Sequence, residues 1–259
     1  MKALNAILHV IEYDFRNFFR YRWFIIALLA MNLADLFISA IVFTQMTRGI
    51  VDFNYFTFFA PGLAVIGLFA SAFMIGREIN MEVRREVHHY LLSLPMTRTE
   101  LAIGRVLAGG LRGMLYMTPL LITNFVLLGL PTVPQLLIIL LTLFLLAIGI
   151  SGVSISIAVS TTSFEKFVTA RGVVYYLFFF CSSVFYPITM IIPTLEAKGL
   201  APLAMFAQIN PLTNGSDLIR SFLLGSPAFS SLMLVDVAVF SVIFALCATF
   251  AYAKILMRQ

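Results

Sequence analysis

Residues able to do chemistry are scarce in this 259-residue chain, and most stand alone. Asp35 lies deep in a long apolar run with Asn32 three residues before it, which puts both on nearly one helical face. An ionisable group in an apolar run points first to a polar pathway. Asn32 and Asp35 are therefore the candidate path residues, a polar contact between helices being the plainer reading. Asp236 sits near the end of another apolar run, within reach of water. His88-His89 is a weak metal pair, because adjacent helical residues point about 100° apart. Cys181 and Cys247 fall inside apolar runs without metal-ligand spacing and read as small hydrophobes. There is no Gly-x-x-x-x-Gly-Lys-Ser/Thr phosphate loop, no His-Glu-x-x-His and no Gly-x-Ser-x-Gly. The expectation is a chain with no catalytic residue, no metal site and no cofactor of its own.

The most charged stretch is 77–105. Glu78 and Glu82, and Glu82 and Glu86, stand four apart with Arg84 and Arg85 among them, a pattern that suits a solvated helix. Val83, Val87, Leu91 and Leu94 add an apolar stripe, and Pro95 ends the pattern. Thr97 to Glu100 has the spacing of a capping box opening the next helix. A helix of this kind suits docking into a partner's groove, with the stripe and Tyr90 as anchors; an ordinary solvated loop helix is the alternative. Asp217 and Arg220, three apart, are placed to pair on one helical face.

The elements that must position these residues are membrane spans. The chain is 61% hydrophobic and 11% charged, with mean hydropathy +1.00. Soluble domains carry about 25% charge, so a soluble enzyme, a disordered chain and a disulfide scaffold are all excluded. A span takes about 20 apolar residues, and six segments qualify: 23–43, 56–75, 107–128, 136–159, 167–191 and 232–252. The first inserts despite Asp35, because its 12 Leu, Ile, Val and Phe residues at about −0.3 to −0.6 kcal/mol each outweigh about +3 for one Asp. An even number of spans puts both termini on one side. Fourteen of the 17 Lys and Arg residues fall on that side and three, Arg48, Lys198 and Arg220, on the other. That bias places both termini in the cytoplasm, and the net charge of +5 is mostly an orientation signal rather than a nucleic-acid footprint.

Residues 1–22 repeat apolar side chains every three or four positions and read as an amphipathic helix lying in the membrane interface. Residues 77–95 form a cytoplasmic helix between the second and third spans. Residues 194–231, broken by Gly and Pro, read as one or two short helices at or re-entering the outer leaflet. Small-residue stripes at Gly109 and Gly113, and at Gly149, Gly152, Ser156 and Ser160, suit close helix packing. The whole, residues 1–259, is expected to be one all-α integral membrane domain.

Several stretches resemble the permease subunit of an ABC-2 type (type V) ATP-binding cassette exporter. Phe59-Ala60-Pro61-Gly62 is similar to that family's Pro-Gly signature. Arg77-Glu78, followed by Leu91-Leu92-Ser93-Leu94-Pro95, is similar to its coupling segment, and Ser182-Ser183-Val184-Phe185-Tyr186-Pro187 to its fifth-span ending. The most specific match is Asn210-Pro211-Leu212-Thr213 with Arg220 and Leu223-Leu224-Gly225. The chain departs from the family at Glu86 and Val87, where a Gly-Thr pair is usual, and at Ser183, where Gly is usual. The resemblance implies an exporter permease in the plasma membrane that moves a drug, lipid or lipid-linked glycan. It implies two copies of a cytoplasmic ATPase carrying ATP and Mg, and a second permease copy as homodimer or related heterodimer, in contact with membrane lipid and with no nucleic acid. Coupling to the ATPase would fall to Glu78, Glu82, Arg84, Arg85, Glu86, His88, His89 and Tyr90. An extracellular gate would include Asn210, Pro211, Asp217 and Arg220. The competing readings are a proton-coupled transporter working through Asp35 and a membrane anchor for an ATPase.

Overall fold

A computed structural model describes residues 2–20, 22–47, 49, 54–87, 90, 93, 95–161, 163–225 and 230–258. Eleven helices are described: α1 (Lys2–Arg20), α2 (Arg22–Thr47), α3 (Tyr55–Phe73), α4 (Ile75–Arg84), α5 (Arg98–Leu128), α6 (Val133–Ser160), α7 (Phe164–Phe180), α8 (Ile188–Ala197), α9 (Ala201–Ile209), α10 (Pro211–Leu223) and α11 (Ser231–Arg258). No strand is found among the described residues. Helix starts follow the sequence signals. Asn54 accepts a hydrogen bond from the Phe56 N–H. Thr97 and Glu100 close the expected capping box, each side chain accepting the other's backbone N–H.

Among the described residues, four helices are long and apolar enough to cross a membrane: Tyr55–Arg84, Arg98–Leu128, Val133–Ser160 and Ser231–Leu256. They contain the expected spans 56–75, 107–128, 136–159 and 232–252. The other two expected spans are less regular. α2 covers 23–43, but several of its side chains, Asn32 and Asp35 among them, lie outside the described residues. α7 stops at Phe180 after 17 residues, and residues 181–187 are non-helical before α8 begins. The expected continuous helix over 167–191 is therefore corrected to a helix, a break and a second short helix.

α5 and α6 form the centre, in contact with α3 and α11. Their glycines face partners. A Cβ on Gly109 would meet Ser151 of α6, one on Gly113 would lie 3.1 Å from Ala72 of α3, and one on Gly152 would lie 2.5 Å from the Phe244 carbonyl oxygen of α11. The glycines of the small-residue stripes thus lie on contact lines of the bundle, whereas Ser160 at the end of the α6 stripe is exposed. The main core gathers Leu68, Phe69, Leu143, Leu146 and Leu218 from α3, α6 and α10.

Two connections depart from the sequence reading. α4 follows α3 after a single turn residue, Met74, and ends at Arg84, so the helix expected over 77–95 does not persist. Glu86, in the turn that follows, has φ of 58°, a left-handed conformation that continues no helix. Among the described residues three short helices, α8, α9 and α10, lie between α7 and α11. α10, the last of them, is buried along most of its length and packs on α3, α6 and α11.

Candidate functional site

α1 docks onto α5 through a point of close approach. A Cβ on Gly104 would lie 2.7 Å from Val10, so glycine lets the two helices touch. Beside that contact sits Asp14, wholly buried. Arg105 donates to its Oδ1 at 2.6 Å, and Arg112 Nε stands 2.7 Å from its Oδ2. Arg112 also donates to the Asp14 carbonyl oxygen at 2.9 Å. The same two arginines reach across to α4. Arg105 Nη2 contacts both carboxylate oxygens of Glu82, at 2.7 and 2.6 Å. Arg112 Nη1 contacts both oxygens of Glu78 at 2.7 Å. Tyr13 and Phe18 of α1 lie 5.5 and 5.0 Å from the two guanidiniums, close enough for cation–π attraction.

This inner cluster joins three helices, α1, α4 and α5. Charge-assisted hydrogen bonds are stronger than neutral ones, and those to Asp14 operate away from water. Glu78 and Glu82 are consequently only partly solvated, with side chains 30% and 13% exposed, rather than on the open face that their spacing suggested; arginines 23 to 34 residues away in sequence cover the rest. On the outer side of α1, the hydrogen bond from Arg16 holds the Glu12 carboxyl below its usual range.

The remaining coupling candidates lie beyond the cluster. Arg84 is exposed and donates from Nε to Asn80 at 3.0 Å, while Asn80 donates to the Ala158 carbonyl of α6 at 3.1 Å. Arg85, Glu86 and Tyr90 are exposed. His88 and His89 lie outside the described residues.

A second buried polar cluster forms at the other end of the molecule. Breaking α7 at Cys181 leaves backbone groups without helical partners, and buried backbone groups need partners. Asn210 supplies two, donating to the carbonyls of Phe178 and Cys181 at 2.8 and 2.7 Å while its Oδ1 caps Leu212 at the start of α10. The Thr213 hydroxyl accepts from the Ser183 N–H at 3.1 Å. Arg220 does the most. It donates to the carbonyls of Phe58, Ser183 and Val184 at 2.8, 2.8 and 2.9 Å and to Asp217 at 2.6 Å. Its guanidinium lies 3.7 Å from the Phe58 ring centroid.

Gly62 of the Pro61-Gly62 pair makes this possible. A Cβ there would lie 2.8 Å from Val184 Cγ1 and 3.0 Å from Arg220 Nη2. Three stretches far apart in sequence, around Gly62, Ser183 and Arg220, are thereby one structure. Asn210, Pro211, Asp217 and Arg220 all belong to it or flank it. Asn32 and Asp35 sit on α2, and their side chains lie outside the described residues.

Sequence reasoning missed Asp14, Arg105 and Arg112. The two arginines were counted only as orientation charges. A signal existed: they stand seven apart, two turns along one helical face, with small residues between them. Among the described residues no group of three or more His, Cys, Asp or Glu side chains is arranged to hold a metal ion.

No curated protein matches the chain. The sequence model of the ABC-2 type transporter family matches residues 5–224. That match takes in α1, both buried clusters and the outer helices, and the chain belongs to the ABC-2 type transporter family as a membrane-spanning permease subunit.

Proposed function

We propose that this ABC-2 permease exports an apolar or amphipathic substrate across the plasma membrane, driven by a cytoplasmic ATPase that engages the segment after α4. Permeases of this family are the non-catalytic membrane subunits of ABC transporters and work with an ABC ATPase. The finer reading is six spans, formed by α2, α3 with α4, α5, α6, α7 with the residues following it, and α11. Both termini then lie in the cytoplasm, α1 lies along the inner membrane interface and α10 re-enters from outside. The whole chain is one permease domain. Two ATPase copies carry ATP and Mg below two permease copies.

The inner cluster is the observation that carries the coupling half of this reading. Asp14, Glu78, Glu82, Arg105 and Arg112 tie α1 and α4 to α5. A push delivered at the exposed Arg84, Arg85, Glu86 and Tyr90, or at the adjoining His88 and His89, reaches the centre of the bundle through α4 and those ion pairs. The outer cluster, with Asn210, Pro211, Asp217 and Arg220, is the gate that moves at the far end. The bundle's two ends are then linked by α3 and α5.

The test is affinity purification of the tagged full-length chain from its native membrane. A nucleotide-binding subunit is expected to accompany it, and charge reversal of Arg84 and Arg85 together should reduce that association while leaving membrane insertion unchanged. Absence of any such subunit from the native-chain sample would overturn the reading. Unaltered association in the double variant would remove the coupling role from these two arginines.

A further inference from the structure

Along one side of the bundle runs a groove of about 810 Å³. Its α3 wall includes Phe59, Leu63, Ile66, Ala70 and, just past the helix, Met74. These positions are three or four apart and so form one helical face. At about 1.5 Å per residue the wall is about 22 Å long, most of the thickness of a bilayer's hydrocarbon core. The opposite wall is aromatic and comes from α7 and the break after it. Tyr175 and Phe179 are stacked with centroids 5.8 Å apart, and Phe179 meets Phe185 at 4.9 Å.

One charged side chain, Arg171, stands among this apolar lining. Its described contacts are weak. Nη2 donates to the Met74 thioether at 3.6 Å, the guanidinium lies 5.4 Å from the Phe73 ring, and buried Nε has no hydrogen-bond partner. Among the described residues no carboxylate lies within ion-pair distance of it; the titratable groups beside it are the Tyr175 phenol and a second cation, Arg77. The contrast with Arg105, Arg112 and Arg220 is informative, because each of those guanidiniums is paired with at least one carboxylate. Tyr116, also lining the groove, has a buried hydroxyl without a partner. A cation in an apolar groove with a buried N–H unpaired and no carboxylate beside it among the described residues is matched by an anion carried on an apolar body.

We propose that the groove binds an amphiphile with one anionic head group. The head lies against Arg171, and the apolar body lies between the rings of α7 and the aliphatic face of α3. This rests on the permease reading and names the substrate class for it.

The experiment uses the full-length chain in phosphatidylcholine nanodiscs and two probes, pyrenedecanoate and its methyl ester, which share ring and chain and differ in charge. Fluorescence titration should show the anion binding at least about tenfold tighter than the ester. Arg171→Gln should bring the two to equal affinity without weakening the ester, and Arg171→Lys should keep most of the preference. Equal binding of both probes to the native chain, or a preference that survives Arg171→Gln, overturns the proposal. So does a groove closed by a second copy, recognised by disulfide cross-linking of an Ala70→Cys variant between chains together with loss of probe binding. Adding phosphatidylglycerol to the nanodiscs identifies the source of the head group: competition assigns it to the bilayer's own anionic lipid, and undiminished probe binding to a free amphiphile. Because the titration involves no ATPase, loss of charge preference with the ATPase still co-purifying rejects the groove assignment alone.

Discussion

Arg112 shows how much a single side chain carries in this protein. Its guanidinium meets carboxylates from two helices, Asp14 and Glu78, and is buried among them. Removing one partner of a buried ion pair leaves the other charge uncompensated, at about 3–5 kcal/mol. Arg112→Ala should therefore lower the thermal midpoint of the detergent-solubilised protein far more than Arg98→Ala, an exposed basic residue at the start of the same helix. Arg220 differs in kind, since three of its acceptors are backbone carbonyls. Lysine keeps the charge but not the planar fork of donors. Arg220→Lys should cost stability even so, about 1–3 kcal/mol for each carbonyl left unsatisfied, read by the same melting experiment. Asp35→Asn addresses the competing proton-driven reading: substrate transport is expected to persist, and its abolition would favour that alternative.

At the scale of elements, the helices are held by close approach as much as by charge. α6 and α11 meet where a Cβ on Gly152 would lie 2.5 Å from the Phe244 carbonyl oxygen. Backbone cannot yield there as a flexible side chain can, so Gly152→Val should prevent correct packing of α11. Size-exclusion chromatography should then show aggregation or loss of the folded monodisperse peak, whereas Gly172→Ala, where a Cβ meets open space, should behave as the native protein. The amphipathic α1 was legible in the sequence from its apolar spacing, and so were the capping box at Thr97 and the small-residue contact lines. The fate of its polar residues was not. Asp14 is buried by arginines 91 and 98 residues further along. Helical spacing gives the angle of a side chain around its own axis and says nothing about which helix arrives opposite. The same limit explains Glu78 and Glu82. Their four-residue spacing is compatible with a solvated face and equally with a face turned toward a pair of arginines two turns apart.

For the whole molecule, the distribution of Lys and Arg makes a claim that accessibility can check. Single cysteines introduced at Lys2 and Lys254, in a background lacking Cys181 and Cys247, should react with a membrane-impermeant maleimide only after the membrane is opened. A cysteine at Lys198 should react from outside in intact cells. Reaction of all three from one side would overturn the six-span arrangement. The class of the molecule followed from composition alone, because a chain with 11% charged residues cannot cover a compact body in water. Helical spans followed too, since in lipid the backbone must satisfy its own hydrogen bonds, and apolar length is enough to reveal them. The motifs around Gly62, Ser183 and Arg220 were visible as separate stretches. Only the folded chain decided that they are one cluster, that α7 breaks at Cys181 to form it, and that Arg105 and Arg112 bind α1 and α4. The physical reason is the range of the interactions. Hydrophobicity and helix formation act through neighbours in sequence, whereas ion pairs and carbonyl contacts form between groups that only tertiary packing brings within 3 Å.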